Sequence, residues 1–255
     1  MAAYLFYSFF LVGFVYPVAA HAYWSTNGFL SAFAGTPLFG QGIIDLAGSG
    51  PVHLVGGAAA LVMTVILGPR KGRFYDDEGI LLDEPTPMGP HSVTLMFLGT
   101  FGLWFGWYGF NPGSVLLISS EQLGTVAGLV AVNTTLGAAG GVLSGMFTST
   151  ILDERKTGVH TWDTTASMNG CLTGLVGITA GCATVEPYAA FAIGVTAGWI
   201  YLFASKLLIR LKVDDAVDAI PVHMFGGAWG VIACGFFSNP YRMAMAGLPT
   251  NHVGL

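Results

Sequence analysis

Seven apolar runs, each long enough to cross about 30 Å of hydrocarbon, dominate the sequence. They lie at about 3–22, 45–68, 91–110, 121–150, 162–182, 187–209 and 217–237. A soluble globular domain is excluded, because the 255 residues include only nine Lys/Arg and fourteen Asp/Glu to cover a water-facing surface. The reading is an all-α polytopic membrane protein, a single transmembrane domain over residues 1–255. The first run has the length of a signal peptide. It lacks a basic leader and contains Pro17, so it is read as a span. Cys171, Cys182 and Cys234 share no metal or redox spacing and read as small apolar residues.

The scarce cations set the orientation. Arg70, Lys71 and Arg73 follow the second run, Arg155 and Lys156 the fourth, and Lys206, Arg210 and Lys212 the sixth. Eight of nine positive charges thus fall on alternate connections, which the positive-inside rule makes cytoplasmic. Arg70–Pro90, with five acidic residues, reads as a solvated cytoplasmic loop or a regulator-binding surface. Glycine pairs at small-xxx-small spacing (124/128, 137/141/145, 170/174, 194/198 and 226/230) imply close helix packing, since lipid gives helices no hydrophobic reason to associate.

One segment occurs twice. Residues 51–58 read Pro-Val-His-Leu-Val-Gly-Gly-Ala and residues 221–228 read Pro-Val-His-Met-Phe-Gly-Gly-Ala. Each histidine has an aspartate eight residues earlier: Asp45 before His53 and Asp215 before His223. The copies lie in runs two and seven, an odd offset that gives them opposite orientations. That is the mark of an inverted-topology repeat with its site near the midplane. Eight residues at 1.5 Å put each histidine about 12 Å past its aspartate, so both approach the middle. A symmetric five-plus-five arrangement needs three more helices before the first run, so the chain reads as truncated at its N-terminus.

Ionisable groups in a bilayer are costly and read as functional by default. Two imidazoles side by side share one proton, and the pair offers a donor or an acceptor to a small polar permeant. An apolar channel disfavours the charged ring and keeps the pair neutral. The alternative, bis-histidine ligation of haem or copper, has no Cys-x-x-Cys-His, further histidine cluster or carboxylate at ligand spacing to support it. No cofactor, resident metal, nucleic-acid partner or enzymatic activity is expected. His21, His91, His160 and His252 read as structural or solvated. Trp104, Trp107, Phe110, Asn111 and Ser114 cluster at the outer end of the third run, with Trp24 closing the first on that side. They form either an interfacial belt or a vestibule whose aromatic faces attract a cation.

Three stretches carry a family resemblance: Ile-Asp-Leu-Ala-Gly-Ser-Gly-Pro-Val-His at 44–53, Gly-Trp-Tyr-Gly-Phe-Asn-Pro-Gly-Ser at 106–114, and Val-Asp-Asp-Ala-Val-Asp-Ala-Ile-Pro-Val-His at 213–223. The chain resembles the ammonium transporter family, in its Amt/Mep branch. The resemblance implies the inverted-repeat ammonium transporter fold with about seven of its eleven transmembrane helices present. It implies a plasma-membrane homotrimer when full length, with one pore per subunit. It aligns His53 and His223 with the pore's histidine pair, Trp107 with a pore-wall tryptophan and Phe110 with one of two gating phenylalanines. It aligns Trp24 and Ser114 with the outer ammonium recruitment site, and Asp45 with the carboxylate supporting that site and the helix start. Asp215 and Asp218 match an acidic pattern at the cytoplasmic end, with a structural or a transport role. The second gating phenylalanine belongs to helices this chain lacks. The implied function is ammonium transport. The alternatives are an ammonium sensor or transceptor, and a non-transporting fragment.

Overall fold

The computed structural model describes residues 2–250; Met1 and residues 251–255, with His252 among them, lie outside the described residues. Among the described residues, six helices are long and apolar enough to cross a membrane. They are α1 (Ala3–Trp24), α2 (Ser49–Leu67), α3 (Val93–Val115), α4 (Glu121–Thr157), α6 (Pro187–Arg210) and α7 (Ile220–Phe237). The run expected at 162–182 forms α5 (Thr164–Thr179), whose 16 helical residues fall short of that length. A short α8 (Pro240–Met245) ends the described chain.

Local chemistry sets the helix ends. Ser92, Ser120 and Asp163 each accept a backbone N–H from the first turn of α3, α4 and α5, which satisfies a donor the helix leaves open. Helix α4 runs past the expected 121–150 to 37 residues, about 55 Å, and stops at Gly158 in the left-handed region. Its extra turns carry Asp153 to Lys156, too polar for a hydrophobic run but compatible with a helix standing in water. In α1 a π-helical turn, Leu11–Val15, ends two residues before Pro17, which has no N–H to continue the ladder. Helix α1 buries no side chain of its own and meets the bundle at its outer end, where Tyr23 packs on Gly50 and Trp24 on Gly48.

Helix α4 is the spine. A methyl on Gly141 would overlap the Gly170 carbonyl of α5, and one on Gly194 of α6 would overlap the Gly137 carbonyl. Glycines on α4 thus let two helices approach backbone to backbone, the packing that substitutes for a hydrophobic drive in lipid. Gly128, also in the expected glycine pattern, has open space at its Cβ position. The core follows from this contact: Val130, Ile178, Leu175, Val176 and Ile193 are fully buried between α4, α5 and α6. All three cysteines are free and buried.

The cation-bearing loops meet at one end. Arg70 binds Asp214 through its backbone N–H and two side-chain nitrogens, at 2.7–2.8 Å. Arg73 lies 3.5 Å from the same carboxylate. The Lys212 ammonium stands 5.6 Å from the Tyr75 ring centre. Phe74 is buried, so part of the Arg70–Pro90 segment is docked rather than solvated. At the other end, Arg242 forms a bidentate pair with Glu186 at 2.9 Å and holds its carboxyl below the usual carboxylate range.

Candidate substrate pathway

The two repeat copies cross at their glycines. A methyl on Gly57 would overlap the Met224 amide, and one on Gly227 would lie 2.7 Å from the Leu54 amide. Leu54 and Met224 occupy the same repeat position, as do Gly57 and Gly227, so the contact is reciprocal. Both histidines sit in π-helical turns, Ser49–Leu54 and Ile220–Phe225. Such turns re-aim side chains and recur at functional sites. A left-handed residue precedes each turn at matching positions, Gly48 (φ 107°) directly and Asp218 (φ 56°) with Ala219 between.

This crossing joins the histidines. His53 Nδ1 lies 3.2 Å from His223 Nδ1, and the ring planes are 11° apart. One nitrogen must donate and the other accept, so the rings hold opposite tautomers. The Trp107 ring lies 5.1 Å from His53 with planes 12° apart, and Phe110 lies 5.6 Å away. Trp107 is aimed by its indole N–H, which donates to Thr179 Oγ1 at 3.1 Å. His53 Nε2 is buried without a protein partner. Among the described residues no group of three His, Cys, Asp or Glu side chains is placed to hold a metal.

Asp45 is buried and fully engaged. Its Oδ1 accepts from Gly48 and Ser49 N–H at 2.7 and 3.0 Å, and Oδ2 from Gly50 N–H at 2.7 Å. The carboxylate therefore caps the start of α2, where a negative charge suits the positive end of the helix dipole. Its backbone carbonyl accepts the Trp24 indole N–H at 2.7 Å. Ser114 Oγ donates to the Phe110 carbonyl at 2.8 Å, in the 3₁₀ turn Pro112–Val115. Trp24 is thus tied to the site through Asp45, and Ser114 through Phe110.

Asp215 repeats the cap more weakly, accepting from Ile220 N–H at 2.6 Å and Val217 N–H at 3.4 Å. Asp218 instead takes hydroxyls from Tyr201 at 2.8 Å and Ser205 at 3.1 Å, and Tyr201 accepts from Asn169. A cavity of about 590 Å³ opens here. It is lined by Asn169, Ser205, Asp215 and Asp218 and reaches His223. Thr179, Tyr201, Ser205 and Asn169 escaped sequence reasoning, because isolated hydroxyls and amides in apolar runs carry no local signal. The repeat offered one clue, the exchange of Gly48 for Asp218.

The sequence profile described as "Ammonium Transporter Family" matches residues 1–254. The chain belongs to the ammonium transporter family. It is 45% identical to Ammonium transporter 1 member 3 of Solanum lycopersicum, over 93% of this chain and 51% of the relative. It is 43% identical to Ammonium transporter 1 member 3 of Oryza sativa, over 100% and 51%. The crystal structure of Candida albicans Mep2 superposes with a TM-score of 0.78 at 33% identity, over 97% of this chain and 49% of that one. The chain thus spans about half the length of the family relatives it matches. Family membership and six apolar helices make it a multi-pass membrane protein.

Proposed function

We propose that this chain forms the substrate pathway of an ammonium transporter. The observation that carries the reading is the 3.2 Å contact between His53 and His223, contributed by oppositely oriented copies and flanked by Trp107 and Phe110. Ammonium is drawn to the outer end by the Trp24 and Phe110 faces and the Ser114 hydroxyl, with Asp45 adding negative potential. The apolar interior strips its water and favours loss of a proton. Ammonia then meets the pair. With Nδ1 atoms shared, one outward Nε2 carries hydrogen and the other does not, which suits a molecule that both donates and accepts. The inner cavity, with Asp215 and Asp218, receives it. A proton travels along the pair or leaves separately. Potassium has no proton to give and bears the full desolvation cost. In this proposal α5 completes seven crossings, and the full-length form is a plasma-membrane homotrimer.

The test is growth of an ammonium-uptake-deficient cell on limiting ammonium, with this chain and with a full-length version. The full-length protein is expected to restore growth, and His53→Leu with His223→Leu to abolish transport or admit potassium. Unchanged selective currents in the double variant would sink the twin-imidazole role. Growth with the full-length version but not this chain assigns the chain as a fragment of the pathway.

A further inference from the structure

Ser49 stands four residues before His53, at the start of its π-helical turn. Its side chain is fully buried. The hydroxyl donates to the Val176 carbonyl at 2.8 Å and accepts from the Ala180 N–H at 2.8 Å. In an uninterrupted helix those two groups would bond to each other, since they are four residues apart. The hydroxyl is spliced between them, and α5 ends at Thr179. A side chain entering the ladder is a known cause of helix distortion, and it explains why the run expected to reach 182 stops early. A second tie runs beside the first: Leu46 N–H donates to the Ala180 carbonyl at 3.0 Å.

Helix α7 closes the opposite side. A Cβ on Gly227 would lie 2.5 Å from the Ser49 carbonyl oxygen, and one on Gly230 would overlap Ser49 Oγ. Ser49 is therefore fixed between α5 and α7. The same turn of α5 carries Thr179, which aims Trp107. One helix end thus sets the height of His53 and of the Trp107 ring beside it. The matching position in the second copy is Ala219, so the inner histidine has no such lock.

We propose that Ser49 is a positioning residue for the histidine pair: its hydroxyl, spliced into the α5 ladder, sets the register at which His53 meets His223 and Trp107. The inference rests on the paired-imidazole reading above. Removing the hydroxyl frees the Val176 carbonyl and Ala180 N–H to bond each other, so α5 extends while α2 loses its register. Positioning then separates from stability.

The experiment is solid-state NMR of the histidine-¹⁵N-labelled chain in lipid bilayers, reading the coupling across the Nδ1–H···Nδ1 bond. The unmodified chain is expected to show it; absence there overturns the paired-imidazole reading and this inference with it. In Ser49→Ala the coupling is expected to fall at least about threefold, because hydrogen bonds weaken steeply with distance and angle. Thr184→Ala, which removes another fully buried hydroxyl at the outer end, is expected to leave it unchanged. A helical Ser49→Ala chain with full coupling overturns the proposal, as does equal loss in both variants. If Ser49→Ala loses its helical circular dichroism, Ser49→Cys replaces it. The longer carbon–sulfur bond is expected to shift the histidine resonances, and unshifted resonances overturn the proposal.

Discussion

The His53 and His223 copies reach one geometry by different means. In both, an aspartate caps the helix start, a left-handed residue precedes a π-helical turn, and a glycine admits the partner's backbone. The anchors differ. The outer copy is held by the Ser49 hydroxyl on α5, with Trp24 packed on Gly48. The inner copy is held by the Asp218 carboxylate on Tyr201 and Ser205 of α6, beside a cavity whose lining includes Asp215 and Asp218. Symmetry therefore places the imidazoles, and the broken positions give the crossing an aromatic end and an acidic end.

The two caps should break apart first. Asp45→Ala strands three buried amides, each costing about 1–3 kcal/mol, so destabilisation of at least about 3 kcal/mol is expected. Asp215→Ala loses one short bond at a less buried site and is expected to cost about 1 kcal/mol, the usual price of a cap. Denaturation in detergent, followed by helical circular dichroism, gives the comparison; equal losses would mean the caps are equivalent.

The crossing comes next. Gly57→Ala and Gly227→Ala each drive a methyl into the opposite copy's backbone, an overpacking cost of about 1–3 kcal/mol. Similar drops in thermal midpoint are expected, and a drop in only one would refute the reciprocal contact.

A smaller effect tests the exchanged position. Asp218→Gly copies the outer residue onto the inner site and loses the Tyr201 and Ser205 bonds; a hydrogen bond to a charged group is worth about 1.5–3 kcal/mol and glycine's ease at φ 56° returns part of that, so a net loss of about 1–2 kcal/mol is expected. The converse, Gly48→Asp, introduces a Cβ 2.6 Å from Val52 and 3.2 Å from Trp24, so a shift in tryptophan emission is expected. Unchanged emission would mean that Gly48 does not make room for Trp24.

The smallest effect lies outside the repeat, at the docked loop. Arg70 holds the Asp214 carboxyl below its ordinary range. A lowered carboxylate adds stability that is full above that range and is lost as pH falls through the lowered value. Arg70 is 42% exposed, so solvent screening limits the pair to about 0.2–1 kcal/mol. Thermal midpoints measured against pH should show a shallower acid decline in Asp214→Asn; an unchanged slope removes the pair from the account.

Much of this was legible in the sequence because the physics is local or repeated. Apolar run length located the helices, and the duplicated Pro-Val-His segments located the paired rings without any distance. Spacing alone was weaker: Gly141 meets a backbone while Gly128 meets nothing, and only the neighbouring helix decides which. The early stop of α5 was invisible because Ser49, 127 residues from Val176, causes it. The Arg70–Pro90 segment read as solvated because its partner Asp214 lies 144 residues away. Asp218 read only as part of an acidic pattern with Asp215, because Tyr201 and Ser205 come from another helix. Interactions between elements, rather than within them, were the part that sequence left open.

The glycine faces of α4 carry one more consequence. Where backbone touches backbone there are no side chains to rotate aside, and such packing resists compression. Helix α5, which fixes both Ser49 and Trp107, is bolted to that spine. Stretching or thickening the bilayer is therefore expected to be taken up by α1, which buries no side chain, and by lipid around it, leaving the contact between His53 and His223 indifferent to membrane tension.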